Sequence, residues 1–345
     1  MKAWLLKGVV DLDDEKQPLE LAEVETPVIG EQEILLRISC CGVCHTELDE
    51  IEGRTPPPRY PVIPGHQVIG IVQQQGMNAN RFHTGDRVGV AWIYSACGEC
   101  EYCLRGMENL CPAFQATGRD HHGGYAEYMV VDEKFAYPIP SSFTDAEAAP
   151  MLCAGAIGYR SLRLTNLSAG QSLALTGFGA SGHLVLKMAR HLFPGSPILV
   201  FARSREEQDF ALRLGATWAG DITETPPEKV NAIIDTTPVW TTAVGSLLHL
   251  KAGGRLVINA IRKESHDQQA LATIRYQDHL WMEKEIKSVA NITRADVEEF
   301  LRLAGSIPIK PDVEIYHFEE ANQALMDLKH KHVKGAKVLL VNRQS

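Results

Sequence analysis

The chain has no apolar run long enough to cross a bilayer, which excludes a helical membrane protein. It has no excess of basic residues either. Against 34 Lys and Arg stand 43 Asp and Glu, a net charge of −9 with no basic stripe, so no nucleic acid is expected as a partner. The opening Met1-Lys2-Ala3-Trp4-Leu5-Leu6-Lys7 lacks the apolar core of a signal peptide, and Asp11, Asp13 and Asp14 follow it. There are no internal repeats and no low-complexity segments. These absences leave a soluble chain of a reducing, cytoplasmic compartment, rich enough in apolar residues for large cores and of a length that suits two domains.

What the chain does have is an unusual distribution of cysteine. Cys97, Cys100, Cys103 and Cys111 fall within fifteen residues, broken by Gly98, Glu99 and Gly106. Four thiolates at this spacing close a tetrahedral zinc site with no open position, which is a structural site. The alternative is free thiols or disulfides, and in a reducing compartment such runs are more often metal ligands. A second signal is dispersed: Cys44, then Gly65-His66, then a lone Cys153. Three ligands leave a position for water or substrate, as chemistry on a metal requires. On spacing alone, Cys153 before Ala154-Gly155-Ala156 reads more readily as a small buried residue. Cys40 and Cys41 remain as buried thiols.

The first third of the chain reads as short strands and turns. Glu33–Ile38 and Gln67–Val72 are branched apolar runs, Arg54–Pro64 is a proline-dense loop, and Gly85-Asp86 is a turn feeding Arg87–Val90. Tyr125–Val131 reads as another strand. The pattern is antiparallel, without long helices, as in a partly open barrel. After Ser141 the style changes. Asp145–Met151 and Gly158–Leu164 read as helical. From Ser172 strand and helix alternate: strands at Leu173–Thr176, Ile198–Ala202, Val230–Asp235, Arg255–Ile261 and Glu285–Ala290, helices at His183–Phe193 and Glu206–Leu214. This order implies a parallel sheet with helices on both faces. Asp296–Ala304 and Ala321–Lys329 read as helices, and the stretch from Gly335 to Val341 as a final strand.

Gly177-Phe178-Gly179-Ala180-Ser181-Gly182 joins the first of those strands to its helix. In that context the three glycines form a dinucleotide fingerprint. Gly177 permits the turn, Gly179 lets amides approach a pyrophosphate, and Gly182 lets helix and strand pack closely. The second strand ends in Ala202, where an acid would bind the ribose of NAD. Arg203, Ser204 and Arg205 follow, groups suited to a 2′-phosphate, so NADP is favoured over NAD. The alternative is two solvated arginines at a helix start, with NAD held by other contacts.

Taken together, Gly42-Val43-Cys44-His45-Thr46, Gly65-His66, Gly85-Asp86-Arg87-Val88, the four-cysteine lobe, Gly123-Gly124-Tyr125-Ala126-Glu127-Tyr128, Cys153 and the glycine loop resemble the zinc-dependent medium-chain alcohol dehydrogenases across essentially the whole chain. The resemblance implies an α/β fold with a β-rich second domain. A GroES-like catalytic domain would span residues 1–153 and return at 291–345, around a Rossmann domain at 154–290. It implies two zinc ions per chain, one catalytic on Cys44, His66 and Cys153 and one structural on Cys97, Cys100, Cys103 and Cys111. It implies reversible hydride transfer between primary alcohols or aldehydes and NAD(P), in a homo-oligomer, dimer or tetramer. Thr46 matches the hydroxyl that takes the substrate proton. His45 and Lys334 match residues near the coenzyme phosphates, each with the alternative of a solvated side chain. Trp92 matches a wall of the substrate pocket.

The chain departs from the pattern at three places. Gln67 stands where an acid commonly follows the zinc histidine, Glu47 where an aspartate commonly orients it, and Asp49 where the relay often ends in histidine. Glu47 and Gln67 are therefore expected to support the metal ligands, and Asp49 to accept the relayed proton. A polyol dehydrogenase of the same family, or a dinucleotide-binding scaffold without catalysis, are the alternatives.

Overall fold

A computed structural model describes residues 1–307, 309–330 and 335–342. The chain divides into two compact units, Met1–Cys153 with the segment from Ile292 on, and Ala154–Asn291.

The first unit is built on a seven-stranded sheet. Val313–His317, Ala336–Leu340, Glu33–Val43, Val68–Gln75, Arg87–Val90 and Ala136–Pro138 follow one another across it, and Tyr128–Asp132 also pairs with Glu33–Val43. All the pairings are antiparallel except that between Val313–His317 and Ala336–Leu340. Glu33–Val43 is buried along nearly its whole length, so both faces are covered and the run carries few polar residues. Register shifts between Ile38 and Cys40 bend the strand toward its carboxyl end, where the chain turns into the short helix His45–Ile51. The antiparallel expectation for this region holds. The helix was not expected from the sequence, because seven residues carry too little periodicity to show it. The small pair Lys2–Leu6 and Leu19–Glu23 and the strand Val313–His317 were also missed.

The second unit carries six parallel strands. Their order is Trp218–Gly220, Ile198–Phe201, Leu173–Thr176, Val230–Asp235, Leu250–Ile258 and Glu285–Ser288. Leu173–Thr176 and Ile198–Phe201 are buried at every position, as expected of strands covered on both faces. Helices Ala180–Leu192 and Arg205–Arg213 return the chain between strands, and Gly215 at φ +98° ends the second in a left-handed residue. The strand order reverses direction between Leu173–Thr176 and Val230–Asp235, which places a ligand crevice at their carboxyl ends.

Candidate active site and metal centres

Cys44 follows the long strand and caps the His45–Ile51 helix, its backbone extended at φ −138° and its Sγ accepting the Thr46 N–H at 3.4 Å. Glu47 closes the capping box, with Oε2 accepting the Cys44 N–H at 2.9 Å. Its other oxygen, Oε1, lies 2.6 Å from Nδ1 of His66, and both side chains are sealed from solvent. One carboxylate thus fixes the backbone of Cys44 and the ring of His66 together. Gly65, at φ +97°, makes the turn that delivers His66, and a Cβ there would stand 2.4 Å from the Tyr125 ring. Cys153 follows the single turn Ala149–Leu152.

The result is a convergence. The ligating atoms of Cys44, His66 and Cys153 all lie within 4.8 Å of one another, and Cys44 Sγ stands 3.6 Å from His66 Nε2. In a tetrahedral zinc site the ligand atoms are about 3.5–3.8 Å apart, given the usual zinc–sulfur and zinc–nitrogen lengths. The donor set fits that ion. With Nδ1 facing Glu47, the Nε2 atom is the one presented to the sulfurs. The electrostatics agree. Burial pulls the His66 pKa down, but Glu47 and Cys44 outweigh it and hold the ring well above its ordinary range. The Cys44 thiol is pushed up by its hydrogen bond with Cys153, by burial and by Glu47. Protons therefore crowd this site where a divalent cation would replace them.

The four-cysteine lobe also converges within 4.8 Å. Cys97 Sγ is 3.9 Å from Cys103 Sγ and 3.5 Å from Cys111 Sγ, again the spacing of a closed tetrahedral site. Backbone N–H groups of Cys100 and Ala113 point at the sulfurs of Cys97 and Cys111, at 3.4 and 3.3 Å. Amides of Glu99 and Cys100 draw the Cys97 thiol down to about 6, whereas burial pushes Cys103 up to about 12.

Around the first site, Trp92 is buried with its ring edge-on to His66, 4.9 Å between centroids at 72°. Gln67 is buried, and its side chain lies where a Cβ on Gly42 would be, 2.4 Å from Oε1. Thr46 is half-buried and His45 exposed. Asp49, expected as a proton acceptor, forms an ion pair with Arg54. Arg54 also holds Glu52 at 2.7 Å, and Lys329 bridges Glu52 and Asp13 at 2.7 Å each. The sequence reading passed over Glu50. It is 1% exposed, and its Oε1 has no hydrogen-bond partner among the described residues. Burial and then Glu47 push its carboxyl well above the usual range, against the pull of His66 and Arg119. A buried acid six residues beyond a candidate metal ligand is the signal that could have found it.

In the second unit Gly177 takes φ +78°, with Thr236 and Thr237 packed where its Cβ would be, and Gly179 caps the following helix. A Cβ on Gly182 would meet the Gly177 carbonyl at 2.8 Å, the close strand–helix approach expected of it. Ala202 is buried and Arg203 exposed. Ser204, expected to face a phosphate, is the N-cap of Arg205–Arg213, accepting from Glu207 N at 3.2 Å and donating to its carboxylate at 3.1 Å. Lys334 lies outside the described residues.

Comparison with known proteins finds relatives along essentially the whole chain. The profile of the alcohol dehydrogenase GroES-like domain matches residues 30–141. A probable alcohol dehydrogenase, AdhA, of Mycobacterium tuberculosis is 40% identical over 99% of this chain and 97% of its own length. An alcohol dehydrogenase of Geobacillus stearothermophilus is 34% identical over 95% of this chain and 97% of its own. Among solved structures, a cinnamyl alcohol dehydrogenase of Sorghum bicolor superposes with a TM-score of 0.81 at 26% identity, covering 98% of this chain and 97% of that one. An NAD-dependent alcohol dehydrogenase shares the fold at a TM-score of 0.86 and 23% identity, with 99% and 100% covered.

Proposed function

Because the chain belongs to the zinc-dependent medium-chain alcohol dehydrogenases, it is an alcohol dehydrogenase, and we propose that it interconverts primary alcohols and aldehydes with two zinc ions per chain and NADP preferred over NAD. The observation that carries the reading is the convergence of Cys44, His66 and Cys153 around one point, with Glu47 locking two of the three. These three would hold the catalytic ion, and Cys97, Cys100, Cys103 and Cys111 the structural one. A zinc ion there supplies Lewis acidity that lowers a hydroxyl pKa, and the dinucleotide supplies or takes the hydride.

The chain's own groups do the rest. Thr46, in the first turn after Cys44, takes the proton leaving the alcohol at its Oγ1. Water serves as the outer acceptor, since the Asp49 carboxylate is committed to Arg54. Glu47 keeps the His66 ring from rotating. Trp92, fixed against that ring, walls the pocket and favours unbranched substrates. Gly177, Gly179 and Gly182 receive the pyrophosphate, and the exposed His45 is a further candidate for the coenzyme phosphates.

The preference for NADP is supported by the missing acid at Ala202 and by exposed Arg203. Ser204 already caps a helix, so Arg203 would carry the phosphate contact. Initial rates with a panel of alcohols and aldehydes, each with NAD(H) and NADP(H), test the whole reading. Arg203→Ala should weaken NADPH more than NADH, and Ala202→Asp should reverse the preference. Equal or better efficiency of the wild type with NAD would refute the cofactor assignment. We also propose a homo-oligomer. The edge strand Glu285–Ser288 is exposed at every residue and flanked by Trp281 and Met282, 54% and 55% exposed, an edge that invites pairing. Sedimentation of a monomer would refute that.

A further inference from the structure

Asp235 ends the strand Val230–Asp235 with its side chain wholly buried, and Lys263, just beyond the strand Leu250–Ile258, is 7% exposed and ion-paired with it. Every N–H of the ammonium is used. One goes to Asp235 Oδ2, and the others to the carbonyls of Thr237 and Val239 at 2.8 and 3.2 Å. Asp235 Oδ1 in turn accepts from Thr176 Oγ1 at 2.6 Å and from both the N–H and the hydroxyl of Thr237, at 3.2 and 2.8 Å. The pair thus binds together the ends of two neighbouring strands, the segment that follows a third, and the loop Thr236–Val239.

That loop backs the glycine turn. Thr236 Oγ1 donates to the Thr176 carbonyl at 3.0 Å. A Cβ on Gly177 would lie 2.8 Å from Thr236 Oγ1 and 3.0 Å from Thr237 Cγ2. The turn rests against the two threonines with no slack, so a shift of the loop is a shift of the turn. Stability alone does not account for a buried ion pair here, since well-packed apolar residues of similar size commonly serve as well. Nor can Lys263 bind phosphate directly, because its donors are taken and its charge is neutralised.

We propose that Lys263, acting through Asp235 and Thr237, is a positioning residue that holds the Gly177 turn in its dinucleotide-binding shape. The inference rests on the reading of Gly177–Gly182 as the dinucleotide loop. It concerns the affinity for either dinucleotide and leaves the choice between them to other residues.

The experiment titrates zinc-loaded wild type, Lys263→Met, Lys263→Arg and Thr237→Val with NADH and NADPH by calorimetry, and measures KM and kcat for the same dinucleotides. Thr237→Val keeps both side-chain branches and loses only the hydroxyl that faces Asp235. Lys263→Met should weaken both dinucleotides by roughly tenfold, through KM, with kcat at saturation within about threefold of wild type. Lys263→Arg, which keeps a cation beside Asp235, should bind both dinucleotides more tightly than Lys263→Met does. Thr237→Val should weaken binding by about threefold or more. A folded Lys263→Met that binds as tightly as wild type, or a loss that Lys263→Arg does not lessen, would overturn the proposal. If Lys263→Met fails to fold, Thr237→Val decides: wild-type affinity in that variant overturns it. Failure of the wild type to bind either dinucleotide would overturn instead the reading of the glycine loop.

Discussion

Glu47→Gln isolates what one carboxylate contributes to the catalytic metal site. In the wild type Oε1 stands 2.6 Å from His66 Nδ1 as an ion pair, and Oε2 accepts the Cys44 N–H at 2.9 Å. The side chain is fully buried, so no water can replace either bond. Glutamine fills the same volume but brings one acceptor oxygen and one NH2 group. Whichever way the amide turns, one donor is left facing another donor. Either His66 loses the partner that turns Nε2 toward the sulfurs, or Cys44 loses its backbone anchor. Loss of one charge-assisted hydrogen bond costs about 1.5–3 kcal/mol, which is roughly 10- to 150-fold in an equilibrium constant. The assay is zinc retained per chain after equilibration against a graded chelator. The four-cysteine lobe serves as an internal reference, because His66 and Cys44, to which Glu47 is bound, lie outside it. One ion should be lost at a chelator strength roughly 10- to 150-fold lower than in wild type, and the other should be unmoved. If both ions are retained as in wild type, Glu47 does not orient the site. If both weaken together, the substitution has damaged the unit as a whole.

Three further outcomes follow from the same geometry. Cys153→Ser should lose one zinc ion and turnover while still binding dinucleotide, whereas Cys103→Ser should lose the other ion and lower the thermal midpoint, since Leu104 and Leu110 of that lobe are exposed and give it little core. A fully active wild type with a single zinc would sink the two-site reading. Trp92→Ala should raise relative rates with 2-propanol and benzyl alcohol over ethanol, at about 3–5 kcal/mol of stability for the lost indole, and an unchanged order among the three substrates would show that Trp92 only packs the barrel. Lys329→Met should cost about 1 kcal/mol at pH 7, because the pair it makes with Glu52 is partly exposed. Burial raises the Glu52 carboxyl, but Lys329 and Arg54 lower it further, so its folded pKa lies below the unfolded value. The stabilisation is then complete above the ordinary carboxylate range and lost as pH falls through the folded pKa, and the deficit of the variant should shrink below about pH 4. A deficit independent of pH in denaturant melts would refute this.

Much of the architecture was legible because local pattern and tertiary role coincide. Leu173–Thr176, Ile198–Phe201 and Val230–Asp235 are continuous apolar runs because both faces of a parallel sheet are covered, and each was read close to its observed limits. The glycine spacing was informative for a similar reason, since each glycine answers a steric demand visible in the fold. Elements whose stability comes from elsewhere were not legible. The strand Val313–His317 exposes most of its residues, and Trp218–Gly220 is three residues long at a sheet edge. Pairing to a neighbour, which no local pattern records, makes both of them strands.

The same distinction governs the acids of the His45–Ile51 helix. Glu47, Asp49 and Glu50 lie within four residues, and composition treats them alike. The helix separates them. Glu47 turns back to Cys44 and His66, as a residue in the first turn can. Asp49 meets Arg54, which is fixed in turn by Glu52 and, through it, by Lys329 from a helix far along the chain. The family resemblance points to Asp49 as the acceptor at the end of the proton relay, but its ion-pair partner comes from a later segment that no local pattern records. Glu50 stands one turn beyond Thr46, on the same face of the helix, and is buried beside Glu47 with an oxygen that finds no donor among the described residues. A carboxyl so placed is held toward its neutral form by burial and by the neighbouring anion. Three acids on two turns thus serve as an orienting anion, one end of a chain of ion pairs, and a buried acid. What separates them is the set of partners that the fold brings to each.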